Sequence, residues 1–139
     1  QLFVERNYLY CAQGHPLFER ALGSLPLSEL RNHAFAGRAN SRVAGFYRNL
    51  SRRATCNGAD LIAMLISTGS YIGFLPEHFV SALAASKQFR PIMPAKVRAN
   101  IPVYLVSRRN LDDMRMAQAF VQTLRKGRDT AVPRTSRRS

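Results

Sequence analysis

The chain has 139 residues, a formal net charge of +13 and hydrophobic residues at 46% of its positions. That length suits one modest domain with a real apolar core. No apolar run approaches the roughly 20 residues of a membrane span, and the opening QLFVERNYLY shows charges and no cleavage-site pattern, so neither a span nor a signal peptide is expected. The opening has no initiating Met and starts on a strand-like stretch, which reads as a piece of a longer chain.

The charge invites a nucleic-acid reading. Arginine supplies 18 of the 21 basic residues, a skew that codon bias alone can produce. The last fifteen residues, RKGRDTAVPRTSRRS, hold six basic groups and one acidic group, so they carry +5 of the total. They have almost no apolar content and read as a disordered tail. The remaining charge is scattered, without a long basic helix face, so direct DNA binding by this chain is not the favoured reading.

In chain order, residues 2–12 are rich in Leu, Val, Phe and Tyr and read as a strand. The run GHP at 14–16 is turn punctuation. SLPLSELRN at 24–32 predicts a turn or two of helix, and HAFAG at 33–37 a short strand. Val43, Phe46, Tyr47 and Leu50 recur at helical spacing, predicting an amphipathic helix over 42–53 with Arg42, Arg48, Arg52 and Arg53 on its wet side. ATC at 54–56 is a brief strand. Asn57 is expected to cap the next helix, with Asp60 three residues on. That helix, LIAMLIS, is apolar nearly all round and is expected to be buried. Gly69 should end it. YIGFLP at 71–76 predicts a buried strand, about 77–86 a helix, and 89–93 and 101–107 two further strands. A last helix should start near Asp112 and Asp113 and stop at Gly127, with Met116, Ala117, Phe120, Val121 and Leu124 as its apolar stripe. Strands and helices alternate, so the class is α/β with a mixed or largely parallel sheet.

Catalytic chemistry is hard to find. There is no G-x-S-x-G elbow, no Walker loop, no G-x-G-x-x-G and no H-E-x-x-H. His15, His33 and His78 are far apart, and none pairs with Cys11 or Cys56 at a metal-ligand spacing, so neither a metal nor a cofactor is expected. The two cysteines read as reduced and buried; a redox switch would need them adjacent or acidified. What remains is binding geometry. Asn57 and Gly58 open a helix straight after a strand, where free N–H groups suit an anion. Arg38, at the end of HAFAG, offers a bidentate partner for an acid. Both features also have bland readings, Asn57 as a plain cap and Arg38 as a solvated surface arginine.

The run CNGADLIAMLISTGSYIGFLPEHF resembles the signature segment of LysR-type effector domains, at Gly69, Gly73, Leu75 and Pro76. The His-Pro-Leu turn at His15, Pro16 and Leu17, the short helix from Pro26 to Leu30, and IPVYLVSRR with the closing helix at Phe120 and Leu124 resemble the family in the same order. The resemblance spans about residues 5–125. It implies a periplasmic-binding-protein-like (type II) effector domain, a mixed sheet flanked by helices. Residues 1–95 would form the second effector subdomain, 96–126 the return strand and helix of the first, and 127–139 the disordered basic tail. The implied function is sensing a small anionic metabolite between two α/β subdomains of a cytoplasmic transcriptional regulator. No enzyme activity and no membrane contact are expected. The regulator would be a homo-oligomer, dimer or tetramer, touching DNA through a helix-turn-helix that this chain lacks. Expected effector-binding residues are Gly37, Arg38 and Ala39, and the helix start at Asn57 and Gly58. The alternative is a solute-binding protein of a transport system.

Overall fold

The structure, a computed structural model, describes residues 1–20, 25–38, 50–106 and 115–131. Among the described residues there are six strands: β1 (Phe3–Ala12), β2 (Ala34–Arg38), β3 (Arg52–Cys56), β4 (Tyr71–Pro76), β5 (Phe89–Pro91) and β6 (Arg98–Val103). The α-helices are α1 (Ala59–Ser67), α2 (Glu77–Ala82) and α3 (Arg115–Ala131), with 3-10 turns at Leu27–Asn32 and Ser86–Gln88. The backbone falls into two compact units, one of Glu5–Ile101 and one of Gln1–Val4 with Pro102–Ser139.

The sheet runs in the order β3-β2-β4-β1-β5, with β6 pairing β1 off this path. β2 is parallel to both β3 and β4, whereas β1 is antiparallel to β4 and β5. The sheet is therefore mixed. β2 sits between its two successors, so the chain leaves it to one side for β3 and crosses through α1 to the other for β4. Such a reversal of direction opens a crevice at the carboxyl ends of the strands.

Alternation along the strands builds two cores, one on each face. Leu9, Cys11, Phe35 and Ile72 point to one face, where Leu17, Phe18, Leu25, Leu30, Leu50, Ile92, Met93 and Val97 cover them. Tyr10, Ala12, Ala36, Cys56 and Leu75 point to the other, under Ile62, Ala63 and Ile66 of α1 and Val80 of α2. The close approach of α1 rests on Gly73: a Cβ there would meet the Ala36 carbonyl oxygen and Ile62 Cγ2, each at 2.8 Å. At the far end of α1, Gly69 turns the chain at φ +75°. That left-handed conformation is cheap only for glycine.

Several expectations need correction. β3 begins at Arg52, so Arg52 and Arg53 belong to an extended strand and not to the wet face of a helix; residues 42–49 lie outside the described set. Parallel pairing with the sequence-distant β2 decides this, where helical periodicity misled. α1 is not buried all round. Leu61 and Met64 are exposed, because one helix against one sheet can bury only one face. α2 ends at Ala82, β5 at Pro91, and the 101–107 strand is shifted back to Arg98–Val103. α3 passes through Gly127 to Ala131, since a glycine lowers helix propensity without forbidding the helix. Asp112 and Asp113 lie outside the described residues.

In the smaller unit the Leu2 N–H donates to the Val103 carbonyl at 2.8 Å. Its apolar residues Phe3, Val4, Tyr104, Val106, Met116 and Phe120 are exposed, while Val121 of α3 is buried.

Candidate functional site

The parallel pairing of β2 with β3 places Gly37 opposite Thr55 and Arg38 opposite Cys56. Asn57 and Gly58 follow at once. Two stretches separated by some twenty residues of sequence thus end side by side on one edge of the sheet. β4 ends on the same edge, because Ala36 pairs with Gly73 in parallel register. β1 starts there, with Asn7 opposite Pro76.

Each expected residue has a definite setting. Arg38 and Asn57 are exposed, Gly58 is half-buried and Gly37 is buried. Ala39 lies outside the described residues. Gly37 has a structural duty besides any contact with a ligand. A Cβ at Gly37 would lie 2.6 Å from Phe35 Cε1. The Phe35 ring leans over this position and meets Phe74 edge-on at 6.2 Å.

Asn57 is not the helix cap. The N-cap of α1 is Gly58, in extended backbone and without a side-chain cap bond. The Asp60 carboxylate curls back against Gly58, at the positive end of the helix. The helix start thus carries a carboxylate of its own, and the guanidinium beside it in the strand register is that of Arg38. Sequence reading did not reach the groups from β1 and β4. Asn7 is buried and its amide donates to Glu5 Oε2 at 3.1 Å. Arg6 Nε stands 3.7 Å from Glu77 Oε2, both side chains half exposed, so this pair adds little stability. Tyr10 is pushed up to about 12 by burial and then by Glu77, which keeps its phenol neutral. Only the antiparallel register brings Glu5, Arg6 and Asn7 to the end of β4, and register leaves no local mark in the sequence.

The cysteines belong to different cores, Cys11 on one face of the sheet and Cys56 on the other. Burial pushes the Cys11 thiol up to about 11, opposed by the nearby Arg90 guanidinium. The two thiols thus face opposite cores, and burial makes the Cys11 thiol less acidic. Among the described residues no group of three His, Cys, Asp or Glu is placed to hold a metal ion, and no helix is long and apolar enough to cross a membrane.

The mixed sheet and its flanking helices define an α/β domain of the periplasmic-binding-protein-like type II fold. The profile of the LysR substrate binding domain matches residues 1–129. The chain is 30% identical over 126 residues to the HTH-type transcriptional activator BauR of Pseudomonas aeruginosa, which aligns with 88% of this chain. The chain spans 41% of that relative's length. Among solved structures, the CcmR regulatory domain of Synechocystis in complex with 2-PG superposes with a TM-score of 0.63 at 18% identity, over 94% of this chain and 66% of that one. Reduced OxyR from Porphyromonas gingivalis gives a TM-score of 0.56 at 22% identity, over 96% and 62% of the two chains. These two likenesses establish the fold. The chain belongs to the LysR substrate-binding domain family, the ligand-sensing module of transcriptional regulators. The relatives found are regulators and not transporters, which removes the solute-binding alternative.

Proposed function

We propose that this chain is the sensing part of a cytoplasmic, oligomeric, DNA-binding regulator, and that its effector carries an anionic group. The anion is held by Arg38, with Gly37 and Ala39 beside it, and by the Asn57–Gly58 entry to α1. The observation carrying this reading is the parallel register that sets Arg38 opposite Cys56, next to a helix start. Ligand binding then shifts the population between two domain arrangements that differ in affinity for the effector. DNA is reached through a helix-turn-helix outside these residues, as the naming of the Pseudomonas relative supports. Catalysis has no part in the proposal.

A thermal-shift panel of aliphatic and aromatic carboxylates on the full-length protein tests it. At least one anion is expected to raise the melting temperature. Losing a charged hydrogen bond is worth about 1.5–3 kcal/mol, so Arg38→Ala should weaken that anion roughly 10- to 100-fold. Arg38 is exposed, so the unliganded melting temperature should stay put. Stabilisation by neutral or cationic compounds alone, or an Arg38→Ala variant that keeps full affinity, counts against the proposal.

The proposal extends to domain organisation: residues 1–95 as the second effector subdomain, 96–126 as the return into the first, and 127–139 as a basic tail. The compact unit Glu5–Ile101 supports the first assignment. The exposed Tyr104, Val106, Met116 and Phe120 in the smaller unit support the second, as surface that the rest of that subdomain would cover. Residues 1–139 made alone should therefore self-associate in sedimentation velocity. A single monomeric species with a cooperative melt would remove this support.

A further inference from the structure

Away from the strand-end edge, among the described residues, the buried His15 meets the half-buried His33. The pair lies at the opposite end of the sheet, where β1 finishes and β2 begins. We propose that His15 and His33 form an acid-released latch that fastens the segment 13–20 to the segment entering β2.

The parts are these. His15 is buried at 4% exposure in the turn after β1. Its N–H donates to the Ala12 carbonyl at 3.0 Å, and its own carbonyl accepts from the Phe18 N–H at 2.9 Å. Its Nδ1 accepts the Leu17 N–H at 3.1 Å. The ring therefore keeps its proton on Nε2. Leu17 and Phe18, positioned by these bonds, belong to the core on that face of the sheet. His33 closes the 3-10 turn Leu27–Asn32 and leads directly into β2. The two rings meet with centroids 4.9 Å apart at a 52° tilt. Glu29, on the 3-10 turn, faces His33 and favours its charged form, and Arg20, from the loop, disfavours it. Arg20 and Glu29 are joined to each other by two contacts, the longer of them 3.3 Å.

Acid acts on this arrangement in two ways. A proton on Nδ1 of His15 sets a donor against the Leu17 donor and breaks the turn. Charge on both rings at this separation is repulsive. Burial, with His33 adding to it, holds His15 down at about 4, and burial lowers His33 also. Once the segment opens, His15 regains its ordinary value near 6.5. The open form then binds more protons between these two values. The latch is thus whole above about pH 6.5 and loosens as pH falls toward 4.

Hydrogen exchange on the full-length protein at pH 7.5 and 5.5 tests this, each rate being divided by the intrinsic rate at that pH. For a group moving from about 4 to about 6.5 on opening, linkage gives roughly a 10-fold loss of protection in peptide 13–20. Peptide 71–76 in β4 should change less than about 2-fold, its openings being independent of the latch. His15→Asn keeps an acceptor for the Leu17 N–H and removes the titration, so the dependence should flatten. Equal losses in both peptides, or an unchanged dependence in His15→Asn, overturn the latch. Should that variant fail to fold, imidazole NMR on the native protein decides: a His15 midpoint below about 5 upholds the proposal and one near 6.5 overturns it.

Discussion

Gly73→Val is expected to melt well below the parent protein. The position has no room on the α1 side. The first added carbon alone would stand 2.8 Å from the Ala36 carbonyl oxygen, 2.8 Å from Ile62 Cγ2 and 3.1 Å from Ile66 Cδ1. The carbonyl belongs to the backbone of β2, which pairs with β4 at this residue and cannot swing aside. The helix must then lift, and with it the packing of Ile62, Ala63 and Ile66 over the sheet. Overpacking a core typically costs about 1–3 kcal/mol, which is the range expected for Gly73→Ala. Valine adds two further methyl groups on the same contact and should exceed that range, against a total stability of about 5–15 kcal/mol. Thermal melts of the soluble fraction give the measure. The alanine variant should melt roughly 3–10 °C below the parent and the valine variant lower still. A valine variant melting with the parent would mean that α1 does not sit on Gly73.

The neighbouring residue gives the second large effect, with the opposite physical cause. Ile72 is fully buried and faces the other core, paired with Phe35 of β2 and clustered with Leu9, Leu17, Leu30, Ile92 and Val97. Ile72→Ala removes packed atoms and leaves a cavity, costing about 2–5 kcal/mol, whereas Ile72→Val costs about 0.5–1.5. The layer over Ile72 is built of loops and a 3-10 turn, which carry their own side chains into the core. Urea midpoints of the two variants at equal slope provide the comparison. If the alanine variant loses no more than the valine variant, that layer collapses onto the gap and is not a fixed core.

Much of the order of elements was legible in the residues. The alternation and the Leu, Val, Phe and Tyr content of 2–12, with the short apolar runs at 33–37 and 71–76, located β1, β2 and β4 to within a residue or two. Gly69 marked the end of α1 and does turn the chain at a positive φ. Those signals are local, since they come from side-chain alternation and from one residue's backbone freedom. The misses have local causes as well. Val43 to Leu50 carried a helical period that was extended through Arg53, but Arg52 and Arg53 pair with β2 as strand. Asn57 has a good cap side chain and yet stands outside the helix, which begins one residue after Gly58.

The candidate site was only half legible. Arg38, Asn57 and Gly58 could be picked out because a strand end and a helix start have sequence marks. Their meeting could not, because it depends on which strands pair and in what direction. The same holds for Asn7, Arg6 and Glu77, gathered by the antiparallel pairing of β1 with β4.

By itself, then, the sequence determined the α/β class, the chain positions of most strands and the family signature from Gly69 to Pro76. Alternation, turn residues and spacing are properties of neighbours along the chain. The tertiary structure alone decided that β2 lies between β3 and β4, and that Arg38 ends beside Asn57. It alone put Cys11 and Cys56 on opposite faces and brought His15 against His33. These are pairings between residues far apart in the chain. They are fixed by strand order and by which face each side chain must bury, a choice the whole core makes at once.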